Sequence, residues 1–268
     1  MTEPLLTLPL QREVDPAELE PHVWYHRIGL GADLVTPGVE RYEPYQRGVL
    51  EAMTAAGVAG RRVLDAGCRD GIFAFAAEQQ GAAEAVGLDN NQTTGALEVL
   101  VPATGSSVRF VEANILDVTP EDLGGPFDVV VAAGLIYHLR EPFRGLRVLR
   151  DLLVDGGTLV LEGGIWLGSD RFADVWCPTL NHGPYDATSP SFFNRRALRE
   201  GLASYGLEIL SWSELGEVIH HPGGWRARAL RYQRAIDRVT VVARRDQRSE
   251  DQFLESYFHA THAQRHWT

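Results

Sequence analysis

No lysine occurs in this chain; all 25 basic residues are arginine. That excludes a Schiff-base lysine, a catalytic amine and the lysine of a phosphate-binding P-loop. Cysteine is nearly absent as well. Cys68 and Cys177 are the two present, and neither belongs to a CxxC pair. A disulfide framework and a cysteine-rich zinc site are both excluded, and no metal is expected. No uninterrupted apolar run reaches the ~18 residues of a membrane span. The opening MTEPLLTLPLQREVDP lacks a basic start followed by a long apolar stretch. We therefore expect a reduced, cytoplasmic protein without membrane contact. Positive charge is also in short supply. Against 36 acidic residues the 25 arginines leave a formal net charge of -11. That weakens the electrostatic case for nucleic acid, although a local basic face is compatible with it.

The 268 residues are 44% hydrophobic and 23% charged, the balance of a globular protein with one large domain or one domain plus an insertion. There are no internal repeats and no low-complexity tract. The polar, proline-containing first 20 residues read as an arm, and the aromatic, glycine-containing stretch 21–45 as a lid. Residues 43–57 read as a helix with Val49, Leu50 and Met53 on one side. From Arg61 strand and helix alternate. RRVLDAG, AEAVGLD, VRFVEAN, FDVVVAAG and GGTLVLEG read as strands, with helices at 71–81, 92–100 and 141–154 between them. Further on come an irregular stretch at 164–190, a helix at 194–205, strands at 207–212 and 239–245, and a helical tail at 249–267.

This pattern predicts an α/β fold with a doubly wound, mostly parallel seven-stranded sheet. We divide it into an arm and lid (1–57), a ligand-binding domain (58–245) with insertions at 164–193 and 213–238, and a C-terminal helical tail (246–268). The aromatic tail suits a homodimer contact.

The strongest local signal is VLDAGCRDG, residues 63–71. A strand ends at Asp65, turns through Gly67 and Gly71, and opens a helix, at the crevice where such sheets bind ligands. A dinucleotide site wants G-x-G-x-x-G, but Arg69 takes the middle glycine position. Asp65 and Asp70 also set carboxylates where a pyrophosphate would have to approach. S-adenosylmethionine, with its ammonium and sulfonium, suits those charges better. Asp89, 24 residues after Asp65, stands at the end of the second strand. That is close to the ~20-residue interval of a ribose-binding acid. Asn114 and the Ile115 N–H, after the third strand, offer an acceptor and a donor to an adenine edge.

These motifs resemble the Rossmann-like S-adenosylmethionine-dependent methyltransferases. VLDAGCRDG is similar to their first motif, GLDNN to the ribose-binding acidic loop, EANI to the adenine contact and FDVVVAAGLIYHL to the fourth-strand motif. The resemblance spans about 60–245. It implies the Rossmann-like methyltransferase fold and S-adenosylmethionine as cofactor. Its motif positions add Cys68, Arg69, Asn90 and Gly134 to the cofactor contacts. More narrowly, WYHRIGL, LDAGCRDGIFAF and LIYHLREP are similar to the tRNA wobble-uridine carboxymethyltransferase group. That group uses a carboxylated S-adenosylmethionine held by basic and tyrosyl residues. Tyr137 matches one such tyrosine, but the matching lysine cannot exist here, so the resemblance implies the ordinary cofactor for this chain.

Methyl transfer requires alignment, exclusion of water and, for some acceptors, a base. His138, just after the fourth strand, and His26, in the lid, are the candidate bases, with Tyr25 and Tyr137 positioned to orient an acceptor. Trp24, Trp166, Trp176, Asn181, His182, Tyr185, Phe192 and Phe193 lie in irregular segments and are candidates for an aromatic acceptor wall. They would serve equally as a satellite core under long loops. Arg226, Arg228, Arg231, Arg234 and Arg238, at helical spacing, either hold RNA phosphates or pair with acidic neighbours on a solvated face. The expectation is transfer of a methyl group to a small aromatic or heteroaromatic acceptor, such as an indole, in specialised metabolism. The alternative is modification of a tRNA wobble uridine. A nicotinamide-dependent oxidoreductase and a non-catalytic interaction module are the rivals from other classes.

Overall fold

Short apolar runs separated by glycine turns form the central sheet of this computed structural model, which describes residues 3–91, 94–179, 185, 188–216, 219–220 and 235–246. Seven strands make it up: β1 (Arg62–Ala66), β2 (Glu84–Asp89), β3 (Arg109–Glu112), β4 (Phe127–Ala133), β5 (Leu153–Trp166), β6 (Leu207–Glu214) and β7 (Ala235–Arg245). Their spatial order is β6-β7-β5-β4-β1-β2-β3, and a short strand, Ile219–His220, adds to β7 off that path. The pairs β1–β2, β1–β4, β2–β3 and β4–β5 are parallel. Strand β7 runs antiparallel to both of its long neighbours, β5 and β6. The fold is the Rossmann-like, mostly parallel arrangement expected from the alternation.

Strand β4 shows why helices cover both faces. Val129, Val130 and Val131 are all fully buried, as a central parallel strand requires. On one face lie α4 (Pro142–Asp151) and α5 (Arg195–Ser204), with Leu146, Leu149, Leu198 and Leu202 in the core. On the other lie α1 (Glu43–Ala56) and α2 (Ile72–Gln79), contributing Val49, Met53, Ile72 and Phe73. The helix expected at 92–100 falls later, as a π-helical turn, Ala96–Leu100, running into the short α3 (Val101–Thr104).

Three local expectations change. Residues 3–20 are a docked part of the fold. Leu6–Leu8 pairs in parallel with Ile28–Leu30, and Leu8, Val14, Leu19 and Trp24 are buried in the same core as α1 and α2. The alternation of Leu6 and Leu8 supplies the strand, and Gln79 Nε2 donates to the Thr7 carbonyl. Second, the stretch after residue 163 is partly regular. β5 continues to Trp166 because β7 pairs with it as far as Ile236, and Val175–Trp176 forms an antiparallel pair with Phe192–Phe193. Third, Arg238 lies on a strand, opposite Gly164 of β5, where helical spacing was expected. The β-branched run that follows it favours extended backbone. Arg226, Arg228, Arg231, Arg234 and the tail 249–267 lie outside the described residues. Among the described residues no helix is long and apolar enough to cross a membrane.

Candidate functional site

The parallel strands end along one edge of the sheet. Because β7 is antiparallel, its beginning meets their ends there. A cavity of about 550 Å³ occupies this edge. One half is bounded by the loops after β1, β2 and β3, through Gly67, Arg69, Asp89, Asn90, Asn91, Asn114 and Ile115. The other is bounded by Gly134 and His138 after β4, Glu162 of β5 and Arg238 of β7. Tyr25, His26, Tyr42, Tyr45 and Gln46 roof it from the N-terminal side.

The glycine turn is built by backbone geometry. Gly67 and Gly71 have φ of 80° and 78°, in the left-handed region. A Cβ at Gly71 would lie 2.6 Å from the Phe110 ring, so only glycine fits. Arg69 shares the positive φ, at 47°. The turn is latched to β2, since Gly67 N donates to the Leu88 carbonyl at 2.7 Å. Arg69 N donates to Asp89 Oδ2 at 2.9 Å, and Asn91 N to Oδ1 at 2.8 Å. Each Asp89 oxygen retains a further lone-pair site for a ligand hydroxyl. The Asn114 side-chain oxygen caps the turn that follows, accepting from Leu116 N at 3.1 Å.

Asp65 and Asp70 do not face the cavity, contrary to expectation. Asp65 is buried and accepts from Ala74 N at 3.2 Å, near the start of α2. Burial pushes its carboxyl up to about 8, against the pull of the Ala74 and Phe73 amides. Asp70 is fully buried, and its Oδ2 accepts from Tyr25 N at 2.6 Å and His26 N at 2.7 Å. It therefore pins the roof. Cys68 and Gly71 also lie behind the cavity wall, and burial raises the Cys68 thiol well above its ordinary value.

The roof carries stacked rings. Tyr25 stacks on Tyr42 at 4.9 Å and meets the edge of His26 at 5.0 Å. Burial raises the Tyr25 hydroxyl's pKa, so it is a neutral donor or acceptor at ordinary pH. His138 Nδ1 lies 3.0 Å from the Thr188 carbonyl. The Thr188 and Ser189 hydroxyls lie 3.4 Å from the same nitrogen. The tautomer with its proton on Nδ1 satisfies the carbonyl and leaves the basic lone pair on Nε2.

A buried ion pair forms the floor. Arg238 Nε donates to Glu162 Oε1 at 2.7 Å and Nη2 to Oε2 at 2.6 Å. Nη1 donates to the Tyr137 hydroxyl at 3.0 Å and the Tyr185 hydroxyl at 3.2 Å. The guanidinium also lies 4.6 Å from the Tyr45 ring centroid. Burial opposes the charge of Arg238, but Glu162 and the tyrosyl oxygens outweigh it and hold the pKa well above the ordinary value. Burial pushes the Tyr185 hydroxyl up to about 12.

A family profile described as "Methyltransferase domain" matches residues 39–211, well over half of the sequence. The chain belongs to the methyltransferase domain family. The domain is 36% identical over 133 residues to the tRNA U34 carboxymethyltransferase of Pseudomonas putida strain GB-1, covering 44% of this chain and 40% of the relative. A Pseudomonas aeruginosa relative of the same name is 37% identical over 133 residues, with the same coverage. The chain thus spans about 40% of the length of these curated relatives. Among solved structures, the N-terminal domain of EvdMO1 with S-adenosylhomocysteine and D-fucose superposes with a TM-score of 0.61 at 21% identity, covering 85% of this chain and 93% of that one. Burkholderia thailandensis 1,6-didemethyltoxoflavin-N1-methyltransferase, with its bound namesake and S-adenosylhomocysteine, gives 0.54 at 16% identity over 75% and 78%. The [4+2]-cyclase SpnF gives 0.54 at 20% identity over 75% and 80%. At these identities the structures speak for the fold alone.

In this methyltransferase domain the cavity gathers Tyr25, His26, Gly67, Arg69, Asp89, Asn90, Asn114, Ile115, Gly134 and His138 from the residues singled out in the sequence. The expected aromatic wall lies elsewhere. Trp24 is buried, donates its Nε1–H to the Leu19 carbonyl and packs on Gly95. Phe193 belongs to the main core. Tyr137 and Phe192 form a satellite core with Ile236, against which Trp166, Trp176 and Tyr185 pack. Tyr137 and Tyr185 both hydrogen-bond Arg238, and Tyr137 also meets the His138 ring at 4.4 Å. Asn181 and His182 lie outside the described residues.

Tyr42, Tyr45, Gln46, Glu162 and Arg238 were not singled out as wall residues, yet all five line the cavity. Glu162 had a readable signal, a carboxylate inside the apolar run LVLEGG. The α1 residues had none, since polar side chains on an amphipathic helix read as its solvent face.

Proposed function

We propose that this domain transfers a methyl group from S-adenosylmethionine to a small aromatic or heteroaromatic acceptor, an indole-like ring being one candidate, in specialised metabolism. One observation carries the reading. A single cavity joins an acceptor-rich end at the tips of β1–β3 to an aromatic end under a roof pinned by Asp70.

The residues fit the cofactor. Gly67 and Gly134, both with positive φ, bring bare backbone to the cavity wall. Asp89 and Asn90 would hold the ribose. Asn114 and Ile115 would hold the adenine, with the Asn114 oxygen shared between its cap and the ligand. Bound there, the cofactor supplies an electrophilic methyl group on a sulfonium. The chain's own residues position the acceptor between the tyrosine roof and the Glu162–Arg238 floor and keep water out. His138 Nε2 accepts a proton from acceptors that must lose one; His26 is the second candidate. In this reading residues 58–245 are the donor-binding body and 1–57 its lid.

Ordinary S-adenosylmethionine is favoured over a carboxylated form. The cavity's buried guanidinium is already neutralised by a bidentate carboxylate, so a second carboxylate would meet Glu162 as well as Arg238. The curated relatives favour a second reading, action on a tRNA wobble uridine. Against it, Arg238, the one described member of the basic run, is turned inward to Glu162 and cannot meet phosphates.

Calorimetric titration with S-adenosylhomocysteine tests the donor site. Asp89→Ala should weaken binding at least ~tenfold, the loss expected for a charge-assisted hydrogen bond. Unchanged affinity would show that the ribose lies elsewhere. Tight tRNA binding in filter assays, without turnover of small aromatic acceptors, would replace the first reading with the second.

A further inference from the structure

Gln46 is the least satisfied side chain in the cavity wall. It sits in α1, is 5% exposed, and neither Oε1 nor Nε2 has a hydrogen-bond partner. A buried amide left in that state destabilises a fold, and Leu or Met at the same position would pack without the cost. In the roof, His26 Nδ1 makes no hydrogen bond and lies 3.5 Å from Asp70 Oδ2. Gln46 and His26 both line the cavity.

The position of α1 says which end of the cavity Gln46 serves. This helix packs on β4, β5 and β7. Glu162 and Arg238 lie on β5 and β7 and Gly134 directly follows β4, whereas Asp89 ends β2 and Asn114 follows β3, on the far side of β1. Tyr42 and Tyr45, earlier on the same side, present flat rings to the same space.

We propose that Gln46 reads a donor–acceptor edge on the methyl acceptor, and that the acceptor is a flat heteroaromatic with a lactam- or imide-type N–H beside a carbonyl. The inference rests on the methyl-transfer reading above. A primary amide offers one acceptor oxygen beside N–H donors. A lactam edge answers both at once: its N–H donates to Oε1 and its carbonyl accepts from Nε2. A carboxylate answers only the donors, and a protonated amine only the oxygen. A plain hydrocarbon ring answers neither. A site holding buried polar groups for such an edge rejects analogues that lack it, because the groups are then left unpaired in the complex too.

The test uses the full chain saturated with S-adenosylhomocysteine, with carbostyril and N-methylcarbostyril as probes, titrated by calorimetry or ligand-observed NMR. Wild type should bind carbostyril at least ~tenfold more tightly than its N-methyl derivative, the loss of one buried hydrogen-bonded pair. Gln46→Met and Gln46→Leu should bind the two probes equally. Both variants should keep the wild-type affinity for S-adenosylhomocysteine. Both should also melt a few degrees higher, since an unpaired buried amide has been removed. A purely structural role predicts the reverse, a lower melting temperature with probe discrimination intact. That result would overturn the proposal, as would equal binding of both probes by wild type. Loss of S-adenosylhomocysteine binding in both variants would move Gln46 to the donor side and also overturn it. Failure of wild type to retain S-adenosylhomocysteine, with probe discrimination intact, would defeat the methyl-transfer reading and leave the role of Gln46 standing.

Discussion

Asp65, Asp70 and Asp89 are three carboxylates within one turn and its neighbouring strand, and their surroundings give them three different tasks. Asp89 alone lines the cavity. Asp70 holds the roof through two backbone amides, and Asp65 sits in apolar surroundings at the start of α2. Residue type and spacing located all three; which way each points was not readable, because that depends on which amides α2 and the N-terminal segment bring to them. The burial of Asp65 has a pH signature. Its folded-state pKa of about 8 lies above the ordinary value of 3.8. The group therefore contributes fully below the ordinary carboxylate range, and its contribution is lost as pH rises toward about 8. Asp65→Asn should gain stability relative to wild type across that window, by at most ~1.4 kcal/mol per pH unit. Urea unfolding of both proteins at several pH values reads the difference; a pH-independent gap would contradict it. His138 belongs to the same scale. His138→Ala should lower kcat at saturating donor by about 10²-fold or more, if the acceptor loses a proton during transfer. Rapid-quench turnover should show this without loss of donor affinity.

Helices and strands between residues 61 and 163 were readable because period and length agree there: buried runs of strand length alternate with helical faces. The N-terminal arm was not. Its short strand gains stability from pairing with Ile28–Leu30 and from packing on α2, neither of which is visible in a local window. The pairing of β5 with β7 was equally hidden, and with it the Glu162–Arg238 floor. Each residue sits 76 positions from its partner, with side chains 3% and 7% exposed. Removing one member strands the other's charge in the interior. Glu162→Ala should therefore cost ~3–5 kcal/mol, whereas the double replacement Glu162→Met with Arg238→Met should recover most of it. Denaturant midpoints of the single and double variants decide this. A double variant as unstable as the single would show that packing, not charge, sets the loss.

At the scale of the molecule, two layers of helices and a seven-stranded sheet follow from the alternation of elements, but the order of strands does not. Crossover handedness constrains the parallel part. It says nothing about where the last strand enters. Here β7 lies between β5 and β6, and among the described residues β6 pairs with no other strand. A chain ending at residue 234 should therefore lose more than the edge of its sheet. We expect limited proteolysis to cut such a chain throughout 195–214, where α5 and β6 depend on β7, while the β1–β4 region remains protected. Uniform resistance of the shortened chain would contradict this.

Insertion of the last strand also fixes a timetable. During synthesis the loops after β1, β2 and β3 emerge early, yet Glu162 waits 76 residues for the arginine that neutralises it. A ribosome-bound intermediate would thus own half of the cavity wall, and the other half would close only as β7 threads into place.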